Sequence, residues 1–148
     1  MFNLKAKSLL ATAVLFLGGV VAANAQIADG SIITVSVPNS FVVKDTTFEA
    51  GVYTIERTPN TSDSPSLLIL RGENDAIVFD TVVSNSKEAA ATTQLVFDTV
   101  GDTNFLSQIL VKGSASKNEL MKTKAQKKAI NESSSVKTTY LTITNTGF

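Results

Sequence analysis

The groups in this chain that could do chemistry are carboxylates, hydroxyls and lysines, because its 148 residues include no His and no Cys. A Ser-His-Asp triad, a Cys nucleophile, an imidazole or thiolate zinc site and a His-ligated haem are therefore excluded. A disulfide framework is excluded for the same reason. Any catalysis would have to use Ser, Thr, Lys, Asp or Glu.

One short motif has the form of a nucleophile site. Residues 114–117 spell S-x-x-K, in which Lys117 would activate Ser114 on a helix, as in penicillin-binding proteins and serine β-lactamases. The companion S-D-N and K-T-G elements are missing, and the chain is far shorter than those enzymes. Ser116 fits better as a helix cap, because Ser116 and Glu119 have capping-box spacing. We predict no catalytic role for the motif.

Acidic side chains suggest two further chemistries. The loops 73–75 and 101–104 offer oxygen ligands of the kind that Ca²⁺ prefers, but neither has EF-hand spacing. Asp, Asn and Gly are also the ordinary residues of hairpin turns. A carboxylate pair for glycoside hydrolysis could be drawn from four residues, and their spacing selects no pair: Glu56, Asp80, Asp98 and Glu119. We expect a non-enzymatic protein without a metal or cofactor.

A cluster of basic residues is the strongest candidate for surface binding. A helix predicted for about 116–131 would carry five lysines on its surface: Lys117, Lys122, Lys124, Lys127 and Lys128. Such a surface could contact an anionic envelope polymer or another envelope protein, and an ordinary solvated helix face is the alternative. Nucleic acid is not expected, because no aromatic residue that could stack on bases lies between Phe105 and Tyr140.

The first 25 residues have the layout of a secretory signal peptide. Lys5 and Lys7 precede the apolar run 9–22, and Ala23-Asn24-Ala25 forms a small-x-small cleavage site. The run is short for a membrane span, which disfavours the alternative of an uncleaved anchor. We therefore expect a periplasmic or secreted mature chain that begins at Gln26. It would carry 11 basic and 13 acidic side chains, a formal charge of −2.

Most of the mature chain alternates between β-forming runs and turn residues. The runs are rich in Val, Ile, Thr and Phe, and Gly, Asn, Asp, Ser and Pro separate them. We predict a single domain over 26–148 that is mainly β. It would be a small antiparallel barrel or sandwich of six to eight strands. The polar segment 58–65 would form a surface loop, the helix at about 116–131 would follow the strands, and a strand at about 138–145 would return to the sheet.

Two functions are compatible with such a domain. The first is a binding or structural module of the envelope or exterior. The alternative is a small barrel that carries an apolar ligand in its interior. A carrier would need a cavity lined by five aromatic residues, and in a module the same residues would pack against one another: Phe41, Tyr53, Phe79, Phe97 and Phe105.

Several of these segments together resemble a family. They are Val35-x-Val37-Pro38-x-x-Phe41, residues 50–56 (AGVYTIE), 67–69 (LLI), 95–97 (LVF) with Gly101-Asp102, and Glu119-Leu120 in a charged segment. The chain resembles an uncharacterised family of small exported β-rich proteins of environmental Gram-negative bacteria. The resemblance covers 35–129 and leaves out the last strand. It implies an exported β-rich fold, and it implies no activity or site residues.

Overall fold

The computed structural model describes residues 32–58 and 67–143. The predicted signal peptide at 1–25, most of the predicted loop at 58–65 and the predicted end of the last strand at 144–145 lie outside these residues. Within the described part, no helix has the length and apolar character needed to cross a membrane.

Eleven strands and one α-helix make up the described residues. In chain order they are β1 (Ile32–Val37), β2 (Phe41–Val43), β3 (Thr46–Phe48), β4 (Gly51–Arg57), β5 (Leu67–Arg71), β6 (Ala76–Asp80), β7 (Val82–Asn85), β8 (Thr93–Val100), β9 (Thr103–Leu110), β10 (Ser116–Glu119), α1 (Lys124–Glu132) and β11 (Val136–Ile143).

The strands form two sheets that face each other as a sandwich. The first sheet has the antiparallel order β1-β4-β5-β6, and the second has the antiparallel order β11-β8-β9-β10-β7. The short hairpin β2-β3 joins the second sheet, because Val42 of β2 pairs in parallel with Phe105 of β9. The predicted mainly β class with one C-terminal helix is confirmed. The sheets are not closed into a barrel.

The eleven described strands exceed the predicted six to eight because β10 occupies residues predicted as helix and because two β-forming runs are divided. The run 47–56 is divided at Ala50, between β3 and β4. The run 77–83 is divided at Thr81, where the chain leaves β6 in the first sheet and enters β7 in the second.

The core lies between the sheets and follows from the alternation of side chains along each strand. In β1, Ile33, Val35 and Val37 are buried while the residues between them are exposed. In the second sheet, Leu95 of β8 is fully buried opposite Ile109 of β9. The two inner faces therefore supply one hydrophobic cluster.

The helix begins later than the sequence predicts, and the prediction for 116–123 is wrong. Residues 116–119 form strand β10, which lies between β9 and β7. The side chain of Ser116 donates a hydrogen bond to Asn85 Oδ1 at 3.0 Å and caps no helix. The helix cap is Thr123, whose Oγ1 accepts a hydrogen bond from the backbone N–H of Gln126 at 3.2 Å. The pairing of β10 with strands on both sides outweighs the local capping signal at Ser116.

The C-terminal strand pairs along its whole length with β8. Val136 lies opposite Val100, and Ile143 lies opposite Thr93. The strand starts two residues earlier than the predicted 138. It forms one edge of the second sheet, and its end lies close to β1 of the first sheet.

Candidate functional site

Four aromatic rings fill the centre of the sandwich. The Phe41 ring is stacked on Phe48 with a centroid distance of 5.5 Å. It meets Tyr53 edge to face at 5.1 Å and Phe97 at 5.8 Å. Phe48 and Tyr53 are also edge to face, at 5.7 Å. These distances are those of rings in direct contact, so this part of the interior is packed by side chains.

Tyr53 ties this aromatic cluster to two turns. Its hydroxyl donates a hydrogen bond to the backbone carbonyl of Glu49 at 2.6 Å. Its ring passes so close to Gly72 that a Cβ on Gly72 would lie 2.6 Å from Cε1. Burial raises the pKa of the Tyr53 phenol above 10.0, and the nearby carboxylates of Asp75 and Glu49 raise it further. The neutral phenol is the form that fits this position.

The five aromatic residues proposed from sequence as cavity lining fall into two groups. Phe41 contacts both Tyr53 and Phe97 in the cluster, and Phe79 is buried in the same core. Phe105 is buried but is not part of that core. It faces the other side of the second sheet, where its cross-strand partner is Asp98.

Phe48, which is not among the five aromatic residues predicted from sequence, is also buried, with 1% exposure. It pairs directly with Phe41 across the hairpin β2-β3, whose two-residue turn is Lys44-Asp45. Lys44 has φ of 58°, the left-handed conformation that such tight turns require. A two-residue turn at this point would have placed the two Phe residues opposite each other.

A surface cleft opens at one end of this aromatic cluster. Its volume is about 270 Å³. Its apolar lining residues come from the end of β1 and from β2, β8 and β11: Val37, Pro38, Phe41, Phe97 and Leu141. Its remaining lining residues are Asn39, Asn104, Thr139 and Tyr140. The cleft thus combines an apolar floor with a polar rim, which is the usual constitution of a ligand site.

Hydrogen bonds fix the polar rim of the cleft. Thr99 Oγ1 donates to Asn104 Oδ1 at 2.8 Å, and the Thr99 and Thr139 hydroxyls are 3.2 Å apart. The Asn104 amide donates to the backbone carbonyl of Ser40 at 3.2 Å. The rim is therefore an ordered network that joins β8, β9 and β11 to the segment before β2.

The five lysines do not form a single helix surface. Lys117 lies on β10 and pairs with Glu119 at 2.9 Å. Lys122 precedes the helix and pairs with Asp98 at 3.3 Å. The other three lie on α1, where Lys128 is 3.8 Å from Glu132. Within the described residues no salt bridge involves Lys124 or Lys127, so three of the five lysines have an acidic partner and two do not.

The four acidic residues considered for catalysis lie in separate ion pairs. Besides the pairs of Asp98 and Glu119, Asp80 is 3.1 Å from Lys44 and Glu56 is 2.8 Å from Arg71. Hydrogen bonds from Lys44 lower the pKa of Asp80, and hydrogen bonds from Lys117 and Ser84 lower the pKa of Glu119. Each of the four carboxylates thus has a different basic partner.

The other sequence candidates have structural roles. Ser114 is buried, and its hydroxyl both donates to the carbonyl of Ser116 and accepts from its N–H. In the loop at 73–75, the N–H of Gly72 donates to the carbonyl of Asp75 at 2.7 Å and closes a hairpin turn. In the 101–104 loop, Asn104 belongs to the rim network described above. The described residues contain no group of three or more acidic side chains that could hold a metal ion.

Comparisons of the chain with protein-family models, with curated proteins and with solved structures find no match. The structure itself defines the class of protein, a two-sheet antiparallel β-sandwich with one helix. Among the described residues, one feature of this sandwich that could hold a ligand is the cleft beside the aromatic cluster.

Proposed function

We propose that this protein is an exported, non-enzymatic binding module of the bacterial envelope or exterior, and that it binds through the cleft between β1 and β11. The observation that carries the proposal is the direct contact of Phe41 with both Tyr53 and Phe97. Rings that touch each other leave the interior packed, whereas an interior carrier needs them to surround a cavity. The space for a ligand is instead at the surface.

The state of the reactive groups supports a non-enzymatic role. Ser114 is buried in its own turn, and Lys117 is held by Glu119. No activated nucleophile follows from this arrangement, because a base must lie within hydrogen-bond reach of the group it activates. Binding through contacts with the apolar floor and the polar rim requires no such pair.

A titration with 3-phenylpropan-1-ol, a neutral probe of suitable size, tests the binding site. We expect saturable binding, with NMR shift changes confined to the backbone of residues 37–41, 97, 104 and 139–141. Thr139→Trp should abolish it, because Thr139 is exposed in the cleft opposite Phe97 and a Trp there would fill the space. Thr138→Trp is the matched control, because Thr138 lies on the other face of β11, opposite Asp98.

Two results would count against this function. Shift changes centred on Phe48 and Tyr53 would indicate an interior carrier, and the absence of saturable binding would remove the cleft as a site. Export has its own test. The full chain, expressed in a Gram-negative host, should give a product outside the cytoplasm whose mass corresponds to a first residue Gln26. An intact chain retained in the cytoplasm would refute export.

A further inference from the structure

We infer that the ligand of the cleft is a small amphipathic carboxylate, that is, an aromatic ring or short apolar chain with one carboxylate group. This inference rests on the proposed function and names the class of ligand for the same site. Three observations carry it: the volume and floor of the cleft, the amide proton of Asn104 that is left free on its rim, and the position of Lys137.

The volume sets the size of the apolar part. A cavity of about 150 Å³ is enough to hold a benzene molecule, and the cleft has about 270 Å³. A ring with a short arm therefore fits. The floor favours a ring, because a ligand ring can pack edge to face on Phe97, which lines the cleft.

The rim network leaves one amide donor free for a ligand. A hydroxyl has one proton, and the proton of Thr99 is used by Asn104 Oδ1. The proton shared by the Thr99 and Thr139 hydroxyls therefore comes from Thr139. Asn104 uses one amide proton on the carbonyl of Ser40 and keeps the second. The two Thr hydroxyls therefore have no free proton, whereas Asn104 has one. This free amide proton favours a ligand head that accepts a hydrogen bond.

Lys137 adds a positive charge near the free amide proton of Asn104. Side chains alternate along a strand, so Lys137 lies on the same face of β11 as Thr139 and Leu141. Its cross-strand partner is Thr99, a member of the rim network. The distance along the strand from Lys137 to Thr139 is about 7 Å, which the long Lys side chain can span. Lys137 is exposed, and within the described residues it makes no salt bridge, including with Asp102 in the β8-β9 turn.

The charge balance selects a carboxylate. The nine residues that line the cleft include no acidic side chain that would repel an anion. One ammonium balances the single charge of a carboxylate, whereas a phosphate monoester carries nearly two charges. The row Lys137, Thr99 and Asn104 runs directly beside the row Thr139 and Phe97. A ligand with its ring over Phe97 would therefore direct its carboxylate toward Lys137.

The test compares 3-phenylpropionate with 3-phenylpropan-1-ol, which share the same ring and arm. At low salt we expect the carboxylate to bind about threefold to tenfold more tightly than the alcohol, because its contact with Lys137 is charge-assisted and partly screened. Lys137→Gln should reduce this ratio to about one, because it weakens binding of the carboxylate more than binding of the alcohol. Lys124→Gln is the control, because Lys124 lies on α1. This helix contacts the second sheet through Asp98, on the sheet face opposite to the cleft.

The outcomes separate this inference from the proposed function. Equal affinity for the acid and the alcohol would overturn the inference while the site remains. Tighter binding of phenyl phosphate than of 3-phenylpropionate would also overturn it. If Lys124→Gln removes the preference as fully as Lys137→Gln, the effect is one of total charge and the assignment of Lys137 is wrong. If neither phenylpropyl compound binds, both proposals fail.

Discussion

Replacing Phe48 with Ala tests whether the aromatic cluster is packed or surrounds a cavity. Phe48 is 1% exposed, stacks on Phe41 and meets Tyr53 edge to face. Truncating a packed Phe to Ala costs about 3–5 kcal/mol, a range that already includes the about 0.5–1.5 kcal/mol that each ring pair contributes beyond the buried area. We therefore expect Phe48→Ala to lower the free energy of unfolding by about 4 kcal/mol. At about 4 °C per kcal/mol, Tm would fall by about 15 °C.

The measurement is urea denaturation followed by far-ultraviolet circular dichroism, because the chain has no Trp to report on folding. Val52→Ala is the control. Val52 lies on β4 of the first sheet and is 62% exposed, so its truncation should cost less than about 1 kcal/mol. A loss below about 1.5 kcal/mol for Phe48→Ala would refute the reasoning, because a ring beside an empty space has fewer contacts to lose. The interior-carrier function would then regain support.

Two further predictions concern Tyr53, the ring that joins the cluster to two turns. Gly72→Ala should destabilise the protein by about 1–3 kcal/mol, since the new Cβ would lie 2.6 Å from the ring. Gly51→Ala, whose Cβ would lie 3.6 Å from the same ring, is the matched control, and equal losses for the two variants would contradict the contact. The raised pKa of Tyr53 predicts a loss of stability at high pH, because above pH 10.0 the unfolded chain releases a proton that the folded chain retains. This contribution is complete below the unfolded pKa and is lost as the pH rises through the folded pKa. Urea midpoints measured from pH 8 to 11 should therefore decline less steeply in Tyr53→Phe, and an unchanged slope would argue against the buried phenol as the cause.

The sequence predicts the class of the fold because strand signals are local. Alternation in β1 and the Gly101-Asp102 turn between β8 and β9 are visible within a few residues, and both are present. The capping signal at Ser116 is just as local, yet residues 116–119 form a strand. There the pairing of β10 with β7 and β9, and the buried hydrogen bond between Thr81 and Asn118, decide the conformation. Contacts between residues 37 positions apart leave no local pattern to recognise.

The candidate site could not be predicted for the same reason, since it joins segments about 100 residues apart. One local feature does explain its position. Pro38 ends β1 because proline has no N–H for pairing and a fixed φ. Opposite this end, β11 continues past Thr139 with its partner β8. Because one edge strand stops while the facing edge continues, a gap opens between the two edges, and the buried rings of Phe41 and Phe97 lie beneath it. A cleft over an aromatic floor is the direct result, and a turn proline, not a catalytic residue, sets the position of the site.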